Sequence, residues 1–100
     1  MKLALNILPD VLSDISSAAL WYEKQKEGLG LEFVSDVNDT IERLAETAFF
    51  FRIRYKRKNV RWTYPCRFPY RICFYIEQDS VHVFAIIHAA QHNREWEKRI

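Results

Sequence analysis

The hydrophobic period of this chain changes once, near Thr47, from helical steps to alternation, and a chain patterned that way is restricted to an α+β fold. Residues 2–8 form a short apolar run that stops at Pro9, a residue well placed at the first position of a helix. This predicts a first strand. From Pro9 to about Lys26, Val11, Leu12, Ile15, Ala18, Ala19 and Tyr22 recur at three and four residue steps, with Asp10 and Asp14 near the helix's positive end. Gly28-Leu29-Gly30 interrupts the pattern, which resumes with Phe33, Val34, Val37, Ile41, Leu44 and Ala45. The expected unit is a two-helix hairpin with a tight glycine turn, in which Gly30 is a candidate for positive φ.

Beyond Thr47, Phe51, Ile53 and Tyr55 alternate with Arg52, Arg54 and Lys56, and Val60, Trp62, Tyr64 and Cys66 alternate with Arg61, Thr63 and Arg67. Two strands joined by a turn at Lys56-Arg57-Lys58-Asn59 follow from this, then strands over residues 68–77 and 81–88 joined through Gln78-Asp79-Ser80. If Glu77 faces Ser80, then Tyr70, Ile72, Phe74 and Ile76 share a core face with Ile87, Ala85, Val83 and Val81. Arg71, Cys73 and Tyr75 then share the other face with Ile86, Phe84 and His82. That second face is mixed and suits a groove covered by another chain. Asn93, ahead of Arg94-Glu95-Trp96, is a helix-capping residue type, so a short final helix is expected. The predicted architecture is an N-terminal strand, a two-helix hairpin and antiparallel strands in one sheet with the helices on one face.

One hundred residues at 49% apolar content make a single domain, 1–100, that needs no metal or disulfide staple. Cys66 and Cys73 lie outside any zinc-like spacing and read as reduced, partly buried small side chains. With no secretory signal pattern and no apolar run of spanning length, a cytoplasmic protein without a membrane partner is expected, and no cofactor or metal is implied. Charge is more informative than composition. Residues 1–46 carry nine acids and four bases, whereas residues 47–76 carry eight bases and no acid. A segment of +8 calls for an anionic partner, either nucleic acid or an acidic protein. Arg52, Arg54, Arg61, Arg67 and Arg71 are the candidate target- or nucleic-acid-binding residues.

Several local signatures in this order resemble the RelE/ParE toxin superfamily over nearly the whole chain. They are the strand running into Pro9, Trp21-Tyr22-Glu23, Gly28-Leu29-Gly30 followed by Phe33, Arg54-Tyr55-Lys56, Asn59-Val60-Arg61, Phe68-Pro69-Tyr70 with Arg71-Ile72, and His88 ahead of Asn93 and Trp96. By residue type alone, Trp21 and Tyr22 are packing residues between helix and sheet. The resemblance implies the toxin of a type II toxin–antitoxin pair, held in a hetero-oligomer by an acidic antitoxin. The antitoxin is expected to lay a helix on the mixed face, on Cys73, Tyr75, His82, Phe84 and Ile86, and acidic side chains on the basic strands.

Two mechanisms belong to that superfamily. RelE-like members cut messenger RNA on the ribosome, which needs a base, an acid and cations around a phosphorane. The candidates here are Arg61, Arg67, Arg71, His88 and His92. Ala89-Ala90-Gln91 follow His88 where many members place a basic residue, and no tyrosine occurs after Tyr75. ParE-like members, of the plasmid-stabilisation type, lack the catalytic set and inhibit growth by binding DNA gyrase. The depleted C-terminal cluster resembles that branch more closely. A ribonuclease, and a non-toxic basic nucleic-acid-binding module, are the alternatives.

Overall fold

The computed structural model describes residues 2–91 and 94–100. Strand β1 (Ala4–Ile7) gives way at extended Leu8 to helix α1 (Pro9–Gln25), where the proline ring presets the first helical φ and Asp10 sits in the first turn. Gly28, at φ 86°, turns the chain into helix α2 (Leu29–Thr47). The turn is tied by Glu23 of α1, whose carboxylate accepts from Gly28 N (2.9 Å) and Gly30 N (3.0 Å) and so caps amides that α2 leaves unpaired at its start. Gly30 does not have the positive φ expected of it. Its constraint is proximity, since a Cβ there would stand 2.7 Å from the Ala19 carbonyl oxygen.

The sheet has the order β1-β4-β3-β2, with β2 at Arg61–Thr63, β3 at Tyr70–Glu77 and β4 at Ser80–His88. β2, β3 and β4 are antiparallel neighbours, while β1 runs parallel to β4. The strand expected over residues 51–56 is absent. A 3-10 turn at Ala48–Phe50 follows α2, and only a Tyr55–Val60 bridge closes the loop around a second 3-10 turn, Arg57–Asn59. Alternation marks a half-buried segment, but a strand also needs a ladder partner. Here the loop closes at once, because Arg54 N and Tyr55 N both donate to Val60 O. β2 stops at Thr63, two residues before Pro65, which has no N–H for a ladder.

The β3–β4 hairpin turns at Gln78 and Asp79, both at positive φ, and pairs Glu77 with Ser80 as expected. The register holds as far as Phe74↔Val83 and then shifts to Cys73↔Ala85, leaving Phe84 as the extra residue of a β-bulge. One inserted residue reverses every later side chain on β4. Ile86, expected on the mixed face, therefore lies in the helix-covered core with Ile72, Phe74, Val81 and Val83. Ala85 and Ile87, expected in that core, join Cys73 and Phe84 on the opposite face.

Two cores result. The larger lies between the hairpin and the sheet, where Val11, Phe33, Val37 and Leu44 meet Ile72 and Phe74. Tyr22 stacks on Phe33 within it, whereas Trp21 is 57% exposed, contrary to the packing role expected for both. The smaller core covers the other face, where Trp96 from a final 3-10 helix (Glu95–Arg99) lies over Phe84 and Val60. The expected final helix is thus present as a 3-10 segment; Asn93, its expected cap, lies outside the described residues.

Two outcomes follow. Gly30→Ala should lower stability in a urea titration by on the order of 1–3 kcal/mol, because the added methyl meets backbone rather than a movable side chain. The Glu23 carboxyl is held below its ordinary value of 4.5 by the hydrogen bonds from Gly28 and Gly30. Its contribution is therefore present above the ordinary carboxylate range and lost as pH falls through the lowered folded value. Urea midpoints measured against pH should show that acid limb in the wild type, and a flatter one in Glu23→Gln.

Candidate functional site

The basic segment wraps the free edge of the sheet at β2, and its cations are divided between the two faces. On the face under Trp96, the Arg54 and Arg71 guanidinium carbons lie 5.3 Å and 4.6 Å from the Trp62 ring centroid. On the face toward the helices, Arg61 lies 5.3 Å from the Phe49 ring. Stacking on aromatic faces stabilises these guanidiniums without neutralising them. The Nε atoms of Arg61 and Arg71 are buried without a hydrogen-bond partner. Among the described residues, Arg52, Arg54, Arg61 and Arg71 have no ion pair. Arg67 stands apart from them. It pairs with Glu32 at 2.8 Å, and Asp36 accepts from the amides of Cys66 and Arg67 (3.1 and 2.8 Å), which fastens this loop to α2.

The groups expected for phosphoryl chemistry are not brought together. Arg61 is paired with Phe74 of the helix-side core, Arg71 belongs to the opposite face, and Arg67 is held at α2. His88 ends β4 edge-on to Tyr70, at 5.1 Å between ring centroids. Its Nδ1 accepts from Ala90 N at 3.0 Å, so the neutral ring carries its proton on Nε2. That ring lines a cleft of about 490 Å³ with Asp14, Trp21 and Arg99, away from the β2 rim. His92 lies outside the described residues.

Of the side chains expected to form an antitoxin groove, Cys73 and Phe84 are buried under Trp96, and Ile86 is in the helix-side core. Burial pushes the Cys73 thiol up to about 12, so it is an inert packing group, while Cys66 is exposed. Tyr75 and His82 remain partly exposed and stack at 4.9 Å. His82 Nδ1 also meets the Asn6 amide at 2.9 Å, which ties β4 to β1.

Trp96 is held in place by a clasp at the edge of β4. Leu8 N reaches Val83 O, Pro9 then turns the chain away, and the next edge groups of β4 lose their strand partner. Side chains replace it. Asp14 Oδ2 accepts from Ile86 N (2.9 Å), and Arg99 Nη1 donates to Phe84 O (3.0 Å). The two side chains also join each other through Nη1–Oδ2 (2.7 Å) and Nη2–Oδ1 (3.1 Å). Asp14 raises the Arg99 pKa further above its ordinary value.

Two exposed apolar features were not marked as sites by periodicity. Leu12, Leu20 and Leu31 rim a groove of about 560 Å³ between α1 and α2, floored by Ile15, Ala19 and Val34. Phe49, Phe50 and Tyr64 project beside the β2 rim. The sequence signal for the second was Phe49-Phe50-Phe51 at the change of period, three aromatics in a row, which alternation cannot bury together. Among the described residues no cluster of three or more His, Cys, Asp or Glu could hold a metal, and no helix is long and apolar enough to cross a membrane.

Removing the clasp should be costly for so small a domain. Asp14→Ala leaves Arg99 partly buried and Ile86 N without an acceptor, and should cost on the order of 2 kcal/mol in urea unfolding. Trp96→Ala should cost about 3 kcal/mol. Amide exchange at Ile86 should accelerate in the first variant beyond what its global stability explains.

No protein-family profile and no curated relative matches this chain. Among solved structures, a chain of the chromosomal ParDE TA (toxin–antitoxin) system from P. aeruginosa superposes with a TM-score of 0.76 at 17% identity. The match spans 87% of this chain and 96% of that one, so the two share a fold across nearly their whole lengths.

Proposed function

We propose that this protein is the toxin of a type II toxin–antitoxin system, of the ParE-like kind, which inhibits growth in the cytoplasm by binding DNA gyrase rather than by cleaving RNA. Support for the toxin reading is the fold shared with a chain of a ParDE system. The observation that carries the binding mechanism is the scatter of the would-be catalytic groups. Arg61 and Arg71 stack on aromatics on opposite faces of the sheet, Arg67 is neutralised by Glu32, and His88 faces α1. General acid–base groups contribute roughly 10²–10⁴-fold each and only when they converge on one reacting group. A binding inhibitor needs no convergence, only uncompensated charge and exposed anchors.

The partner is an acidic antitoxin. Its carboxylates oppose the uncompensated Arg52, Arg54 and Arg71, and its apolar side chains reach Tyr75 and His82 at the open end of the second face.

Induced expression in growing cells tests this reading. A DNA-damage response with intact transcripts is expected, surviving replacement of His88 and His92 by alanine and abolished by the double reversal Arg61→Glu, Arg71→Glu. Codon-positioned messenger cleavage on ribosomes that disappears with the two histidines would place the protein with the RelE-like ribonucleases instead.

A further inference from the structure

Between the end of α2 and β2 lies a cleft of about 310 Å³, floored by Arg43, Leu44 and Thr47 and lined at its mouth by Phe50 and Tyr64. That volume is at the lower end of ligand clefts, roughly 300 Å³ and upward. Phe50 is 84% exposed, more than any other large apolar side chain among the described residues, and Phe49 beside it is 64% exposed. An exposed phenylalanine costs water contact and contributes nothing to the core. Here two occur consecutively on a 3-10 turn, next to a third exposed aromatic, Tyr64.

Their surroundings are cationic. Arg61 stands over Phe49, exposed Arg52 follows two residues after Phe50, and neither has an ion pair among the described residues. The floor is polar enough to read an edge. Thr47 Oγ1 donates to Arg43 O and keeps its lone pairs as acceptors, and the exposed Arg43 guanidinium donates to Thr40 Oγ1. Aromatic faces at a mouth, hydrogen-bonding groups below them and unneutralised guanidiniums alongside form the pattern that receives unpaired bases and their phosphates. An acidic helical peptide fits this place less well. Helix docking uses an aliphatic groove with anchors at helical spacing, and the groove of that kind lies elsewhere, between α1 and α2.

We propose that this cleft binds single-stranded nucleic acid, with an unpaired base between Phe50 and Tyr64 and the flanking phosphates on Arg52 and Arg61. Base faces are hidden in a duplex, so the single-stranded form is the ligand. The inference does not rest on the toxin reading, because it involves no chemical step and is read by oligonucleotide affinity alone, although Arg52 and Arg61 are shared with the surface proposed to meet the antitoxin and the target.

Fluorescence anisotropy of the full-length protein with a labelled oligothymidylate or oligouridylate about ten nucleotides long tests it. Binding should weaken about 5- to 100-fold in Phe50→Ala and in Tyr64→Ala, with melting unchanged in the first, whose side chain is 84% exposed, and lowered only slightly in the second, at 45%. Arg61→Gln should lower the slope of log affinity against log salt by about 0.7, the value of one single-strand phosphate contact. A duplex of the same sequence should compete poorly. Affinity that is unchanged in the Phe50 and Tyr64 variants would reveal charge attraction alone and overturn the proposal. So would the absence of binding at low salt, or Phe50 and Tyr64 signals that move with an acidic peptide and not with either oligonucleotide.

Discussion

The paired carboxylate and guanidinium of Asp14 and Arg99 join three parts of the molecule at one point. Asp14 belongs to α1, Arg99 to the final 3-10 helix, and both bond the backbone of β4 where β1 has turned away. A sheet edge without a partner exposes donors and acceptors that must be met by water, side chains or another strand. Here two side chains act as a partial strand. Both of their backbone bonds are charge-assisted, and the bidentate contact between the two side chains fixes their geometry.

The location of that pair decides what the rest of the surface offers. Holding the final helix brings Trp96 onto Val60, Phe84 and the Trp62 side of the sheet. The second face is therefore closed by the chain itself in its centre, and remains open only toward Tyr75 and His82 at one end and the Arg54–Trp62–Arg71 stack at the other. A domain of this size, with helices on one face, would otherwise leave an apolar sheet in water. Trp96, with Leu8, Tyr55 and Ile100 packed beside it, supplies the missing layer.

Charge separation along the chain becomes spatial separation in the fold. The acidic half forms the hairpin, and several of its carboxylates have internal tasks: Glu23 caps α2, Asp36 holds the loop at Cys66 and Arg67, Glu32 pairs with Arg67, and Asp14 meets Arg99. The basic segment receives little of that compensation. Apart from Arg67, and Lys58 with Glu77, its cations are solvated or stacked on rings, so the field of the β2 rim points outward. That arrangement supports the proposal that this surface meets an anionic partner.

Periodicity and punctuation in the sequence determined the two helices, the position of Pro9, the glycine turn between the helices though not which glycine takes positive φ, the β3–β4 hairpin with its turn, and the basic character of one segment. These depend on neighbours within a few residues, where propensity and pattern act directly. The bulge at Phe84 was beyond such reading, because alternation cannot reveal an inserted residue when apolar side chains occupy both faces, as they do from Val83 to Ile87. Nor could it show that residues 51–56 lack a ladder partner, or that Arg61 and Arg71 point to opposite faces while Arg67 is taken by Glu32. Which arginines stay uncompensated, whether Trp96 covers the sheet, and where the exposed aromatics gather were decided by tertiary structure alone. Each depends on contacts between residues far apart in the chain, and no local pattern records which carboxylate, ring or strand edge those side chains will meet.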